Sequence, residues 1–126
     1  MLVEIRSRTT RSSIILTGGY ESIKDCLEKN RGANLRGANL RGADFRGADI
    51  RDAKGYVNSH DVFAEAVRRQ GIKEFVDAEW VAIAQITIHR LCWDSIEKRF
   101  PDVMPPIFTK LANAGFTEWM EYWNDL

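Results

Sequence analysis

Ala33-Asn-Leu-Arg-Gly-Ala38-Asn-Leu-Arg-Gly-Ala43-Asp-Phe-Arg-Gly-Ala48-Asp-Ile-Arg-Asp52 is one five-residue unit written four times. Helical side chains return every 3.6 residues and strand side chains every two, so a period of five fits neither template. Five residues advance a helix by about 500°, which leaves about 140° between successive units. Leu35, Leu40, Phe45 and Ile50 would therefore scatter around a helix axis. Gly32, Gly37, Gly42 and Gly47 would also weaken that helix at every fifth position. A chain that turns a corner every five residues answers both objections. The small Ala33, Ala38, Ala43 and Ala48 and the large Leu35, Leu40, Phe45 and Ile50 then share one interior. The glycines fall near the corners, where a residue without Cβ costs least. Asn34, Asn39, Asp44 and Asp49 are suited to bonding the backbone amides of the bends.

This pattern resembles the pentapeptide-repeat family, whose consensus is Ala-(Asp/Asn)-Leu-X-X. The resemblance implies a right-handed quadrilateral β-helix with four units per coil, and therefore a single coil in this chain. One coil cannot bury its own ends. Covers are expected from the flanking segments or from another subunit. The fold class that follows is mixed α/β: a single-coil pentapeptide-repeat solenoid, with an N-terminal β-hairpin plus helix and a C-terminal helical bundle as its caps. The expected boundaries are 1–30 for the N-terminal cap, 31–56 for the coil and 57–126 for the helical cap.

Upstream of the repeat, Leu2–Arg6 and Ser13–Thr17 are short β-prone runs around a polar stretch, and Gly18-Gly19 follows the second. A hairpin is predicted. Glu21–Glu28 reads as a helix with Ile23, Cys26 and Leu27 on one stripe. This N-terminal arrangement resembles the start of short pentapeptide-repeat proteins of phage and prophage genomes. Downstream, Ser59 suits the N-cap of a helix over His60–Gln70, stopped by Gly71. Its inward residues are Val62, Phe63, Ala66 and Val67. Asp77 is read as the next cap. A long helix over Ala78–Trp93 follows, with Trp80, Val81, Ala84, Ile88, Leu91 and Cys92 as its buried stripe, widened by Ala82 and Ile86; Ser95–Phe100 either extends it or forms a separate turn before Pro101. Pro105-Pro106 sets up a helix over Ile107–Ala114, and Thr117 opens a last one over Glu118–Trp123.

The composition is that of a folded chain: of its 126 residues 44% are hydrophobic and 29% charged. A net charge of zero hides an asymmetry. Residues 1–55 hold 11 Lys/Arg and 7 Asp/Glu, a net of +4, and residues 56–126 hold 7 and 11, a net of −4. Two cysteines, Cys26 and Cys92, make no disulfide framework and read as reduced thiols in apolar helical segments. No apolar run reaches membrane-spanning length and the N-terminus lacks a secretory pattern. The expectation is a cytoplasmic protein with no membrane association.

Arg31, Arg36, Arg41, Arg46 and Arg51 recur every fifth residue and should ring the outside of the coil. They serve either as a solubilising girdle or as a surface for anionic groups, nucleic acid or an acidic protein face. Nucleic acid is disfavoured, because charges on four sides cannot meet one duplex and Asp44, Asp49 and Asp52 dilute the patch. Trp119, Tyr122 and Trp123 follow i, i+3, i+4 spacing and form either core or a docking stripe for a partner or a second copy. His89 and Cys92, with His60 and an acid such as Asp61 or Asp94, are the nearest approach to a metal or thiol site. No CxxC or HExxH supports it, so neither catalytic residues nor metal ligands nor a cofactor are assigned. The expected function is a non-enzymatic protein-binding module. The resemblance to phage-type members implies a phage-encoded inhibitor or modulator of a host system. A self-associating assembly protein, as a homodimer, is the alternative, and a small enzyme is a third.

Overall fold

The computed structural model describes residues 2–6, 14–36, 38–41, 43–48, 50 and 53–124. The chain divides into two compact units, Met1–Ser59 and His60–Leu126.

In the first unit, β1 (Leu2–Arg6) and β2 (Ile14–Gly19) pair antiparallel. Leu2 lies opposite Gly19 and Ile5 opposite Leu16, with an irregularity between Ile5 and Arg6. Val3 and Ile5 alternate with exposed or half-buried neighbours, which gives the hairpin one buried face. Helix α1 (Ile23–Lys29) packs against both strands. Ser22 caps it, its side chain accepting from the Asp25 N–H at 3.0 Å, and Cys26 and Leu27 face inward. Gly32, at φ 81°, then turns the chain into the repeat.

Each repeat unit makes one turn. The N–H of Ala38 donates to the Leu35 carbonyl at 2.9 Å, and Ala43 to Leu40, Ala48 to Phe45 and Ala53 to Ile50 do the same at 3.0 Å. Gly47 takes φ 75° at the third position of its turn, where a type II turn calls for glycine. Leu35, Leu40, Phe45, Ile50, Ala38 and Ala48 are buried, while Ala33 and Ala43 are half-buried. After the four turns the chain lies beside its own start. Lys54 bridges Asn34 in parallel, with Leu35 N–H to Lys54 carbonyl at 2.6 Å and Lys54 N–H to Ala33 carbonyl at 2.9 Å.

The secondary structure overturns the expected fold class. The described residues contain one two-stranded antiparallel sheet and a set of helices, and no closed β-helical solenoid. The reason lies in the number of units. Parallel ladders of a β-helix form between successive coils. Four units pass each side only once, so most of the segment has no neighbouring pass to pair with. Among the described residues two passes meet where residue 54 overlaps residue 34, and there one bridge forms.

The second unit is helical: α2 (His60–Gln70), α3 (Asp77–Thr87), α4 (Trp93–Arg99), α5 (Met104–Asn113) and α6 (Glu118–Asn124). Its core joins Phe63 of α2, Ile83 and Ile86 of α3, Ile96 of α4, Ile107, Phe108 and Leu111 of α5, and Trp119 of α6. Phe63 meets Trp93 and Trp119 edge-on, at centroid distances of 5.8 and 5.4 Å. Two buried carboxylates are compensated locally. Glu65 accepts from Arg68 Nε at 2.7 Å and Arg69 Nε at 2.6 Å. Glu79 accepts from Lys110 Nζ at 2.7 Å and from the Val76 N–H at 2.9 Å, which ties α3 to α5.

The single helix expected over Ala78–Trp93 is two. Its N-cap is Val76 rather than Asp77, and it ends at Thr87. Arg90 then adopts φ 50°, and the Leu91 N–H reaches back to the Gln85 carbonyl at 3.0 Å. Tertiary contacts hold this elbow. Arg90 Nη1 and Nη2 fork onto Asp61 Oδ1 and Oδ2 at 2.8 and 3.2 Å. His60 Nε2 lies 2.7 Å from the Leu91 carbonyl oxygen, and the His60 ring stacks on Trp93 at 5.1 Å. Of the expected stripe Ala82 and Ile86 face inward, joined by Ile83 and Glu79, while Val81 and Ile88 are exposed.

Candidate functional site

The repeat segment offers the most regular set of outward groups. In the first three units the Asn or Asp after the alanine accepts from the N–H of the arginine two residues on. Asn34 Oδ1 takes the Arg36 N–H at 3.0 Å, Asn39 Oδ1 that of Arg41 at 3.2 Å, and Asp44 Oδ1 that of Arg46 at 3.4 Å. The local bond fixes the backbone from which each arginine leaves. Arg31, Arg36, Arg41 and Arg46 are exposed, and Arg51 lies outside the described residues.

The four visible arginines are not equivalent. Arg46 Nε also pairs with Asp44 Oδ1 at 3.3 Å, so the unit built on Asp44 holds its own counter-charge. In the units built on Asn34 and Asn39 the side-chain oxygen is neutral. Arg36 and Arg41 have no acidic partner among the described residues. The Asn-for-Asp difference thus leaves two guanidinium groups on adjacent turns without an acidic partner among the described residues.

The C-terminal aromatics divide differently. Trp119 is 0% exposed and packs against Phe63 and Phe116, so it belongs to the core and cannot meet a partner. Trp123 is half-buried edge-on to Phe108, with ring centroids 5.5 Å apart. Tyr122 is half-buried and its hydroxyl donates to Glu97 Oε1, joining α6 to α4. That carboxylate pushes the Tyr122 phenol up to about 12.

The histidines and cysteines do not converge on one site. His60 is engaged at the elbow, and no group of three or more metal-ligating side chains occurs among the described residues. Cys26 is buried, and burial pushes its thiol up. Cys92 is exposed instead of buried, because it stands at the N-cap of α4 rather than inside a longer helix. Its sulfur lies 3.1 Å from Ser95 Oγ, and hydrogen bonding from Ser95 lowers its pKa. Missed by sequence reasoning were the Asp61–Arg90 fork and the outward turn of Val81 and Ile88. One signal was available for the latter, the absence of any charged residue from Trp80 to Ile88.

No helix among the described residues is long and apolar enough to cross a membrane. No curated protein and no solved structure matches the chain. Residues 31–54 match the family described as pentapeptide repeats (8 copies), so the chain is similar to that family across its repeat segment.

Proposed function

We propose that the chain is a non-catalytic binding module that engages an acidic face of a partner protein through Arg36 and Arg41. The observation that carries this reading is the pair of exposed guanidinium groups without an acidic partner among the described residues, each leaving a turn whose backbone an Asn side chain holds. Arginine suits the role because its planar fork matches carboxylates and stays charged at every accessible pH. Contacts of this exposed kind set on-rate and register more than raw affinity, and salt weakens them. The resemblance of the N-terminal segment to phage-type members extends the reading to a host protein as the partner, inhibited or modulated by occupancy.

Affinity capture with the wild-type chain and with Arg36→Glu/Arg41→Glu tests it. The expected result is a partner that the wild type retains at low salt and releases at about 0.5 M salt. The charge-reversed chain should bind that partner at least about tenfold more weakly, with an unchanged circular dichroism spectrum. Equal retention by both chains, indifferent to salt, would overturn the reading.

A further inference from the structure

Asn34, Asn39 and Asp44 hold the same place in three successive turns and do the same backbone work. Each accepts from the N–H of the arginine two residues on, at 3.0, 3.2 and 3.4 Å. Asn and Asp side chains share a shape and differ in charge. Where the residue is Asp44, its Oδ1 also takes Arg46 Nε at 3.3 Å, so one oxygen serves the turn and the guanidinium together. Where it is Asn34 or Asn39, the arginine makes no ion pair among the described residues. The backbone bond calls for Asn or Asp and is indifferent between them. Charge is what the choice changes.

The first of these turns gathers a further cation. Lys54 is bridged in parallel to Asn34, through backbone bonds of 2.6 and 2.9 Å to Leu35 and Ala33. Both bridged residues are exposed, and Lys54 has no acidic partner among the described residues. A carboxylate at position 34 would therefore stand next to Lys54 as well as Arg36, and the amide there leaves both cations open.

We propose that the second residue of each repeat unit selects whether the arginine of that unit is available to an acidic partner. Asn34 and Asn39 leave Arg36 and Arg41 open, and Asp44 occupies Arg46. This rests on the reading of Arg36 and Arg41 as the binding surface, and adds the positions that set its charge. Asn34 and Asn39 act through the arginines and need not touch the partner. The effect per turn is modest, because the Asp44 and Arg46 side chains are both mostly exposed. Exposed pairs of this kind shift an equilibrium by about twofold to fivefold.

Fluorescence anisotropy with labelled poly-L-glutamate, at about 20 mM salt, supplies the carboxylates as a defined probe. Arg36→Glu/Arg41→Glu should weaken binding at least about tenfold, which tests the surface itself. Asn34→Asp/Asn39→Asp keeps both backbone acceptors, as Asp44 shows, and should weaken binding about fivefold. Lys24→Gln/Lys29→Gln lowers the net charge equally, but on α1, where Glu28 and Asp25 already pair with these lysines. Its effect should stay below about twofold. In the opposite direction, Asp44→Asn should tighten binding about threefold, and Glu21→Gln, the same change of charge away from the repeat, should leave it unchanged. Circular dichroism checks that each variant folds, and if Asn34→Asp/Asn39→Asp does not, Asp44→Asn decides alone. The selector is overturned, and the arginine surface stands, if Arg36→Glu/Arg41→Glu weakens binding while Asn34→Asp/Asn39→Asp matches Lys24→Gln/Lys29→Gln or Asp44→Asn matches Glu21→Gln. If Arg36→Glu/Arg41→Glu binds like the wild type, surface and selector fall together.

Discussion

The repeat segment and helix α3 are both rich in alanine and large aliphatic residues, yet the first admits one inward set and the second admits two. In the repeat, a period of five places Arg36, Arg41 and Arg46 next to Leu35, Leu40 and Phe45, so polar and apolar positions never exchange. The four large residues have one consistent direction, and all four are buried. In α3 the polar half of the pattern is missing. With Glu79 as the only charge between Ala78 and His89, any stripe drawn at helical spacing finds apolar residues. Glu79 itself is buried against Lys110, so even that charge misleads. Apolar periodicity identifies a face only when the opposite face is polar.

The largest test of this contrast is a pair of truncations. Leu40 is 1% exposed in the repeat and Ile88 is 72% exposed on α3. Leu40→Ala should destabilise the chain by about 3 kcal/mol through lost burial and an unfilled cavity. Ile88→Ala, in dilute solution, should stay within about 0.5 kcal/mol of wild type. Urea unfolding followed by circular dichroism measures both. Comparable costs would mean that the two faces are equally buried and the contrast false.

A second pair sharpens the account of the turns. Gly47 and Gly55 share a left-handed backbone, at φ 75° and 74°. A Cβ at Gly47 meets nothing within 4 Å. At Gly55 it meets Asn34 Oδ1, the Arg36 amide nitrogen at 2.7 Å and Arg36 Cβ at 2.8 Å, where the chain returns beside its start. Gly47→Ala should therefore cost only the left-handed penalty of about 1 kcal/mol. Gly55→Ala adds displacement of backbone that the Lys54 bonds hold, for a total of about 3 kcal/mol. Equal losses in urea unfolding would show that the closure at residues 34–36 and 54–55 is slack.

What could be read from residues alone follows the same division. The hairpin, the five-residue turns and the helix ending before Gly71 rest on local chemistry: β-prone runs beside glycines, Asn and Asp at bends, and glycine past a helix end. The missing β ladder follows from a count already legible in the sequence, since four units leave no successive pass for a parallel ladder to pair with. The elbow at Arg90 was hidden because no glycine or proline marks it. Its left-handed backbone is held by Asp61 and His60, about thirty residues earlier in the sequence. Cys92 changed from buried to exposed as a consequence of that elbow. Trp119 was legible as part of a stripe, but its burial depends on Phe63 and Phe116, partners that spacing cannot name. For the arginines, the change from Asn34 and Asn39 to Asp44 and Asp49 was visible throughout, and the pairing of Arg46 with Asp44 gave it meaning.

The smallest expected effect probes whether the helical unit, unlike the repeat, is positioned by polar contacts between distant residues. Tyr122 donates to Glu97, and the neighbouring carboxylate raises its phenol from 10 to about 12. A raised folded pKa means that the protonated phenol is favoured by the fold. The stabilisation is whole below the unfolded pKa near 10 and is lost as pH rises through about 12. All four tryptophans, Trp80, Trp93, Trp119 and Trp123, belong to the second unit, so their fluorescence reads that unit alone. Between pH 9 and about 12 its urea midpoint should fall more steeply in the wild type than in Tyr122→Phe, which has no phenol to titrate. Lysine deprotonation acts on both chains and cancels in the difference. If the two midpoints fall in parallel, the Tyr122–Glu97 bond contributes nothing to holding α6 on α4, and packing around Trp119 alone seats the last helix.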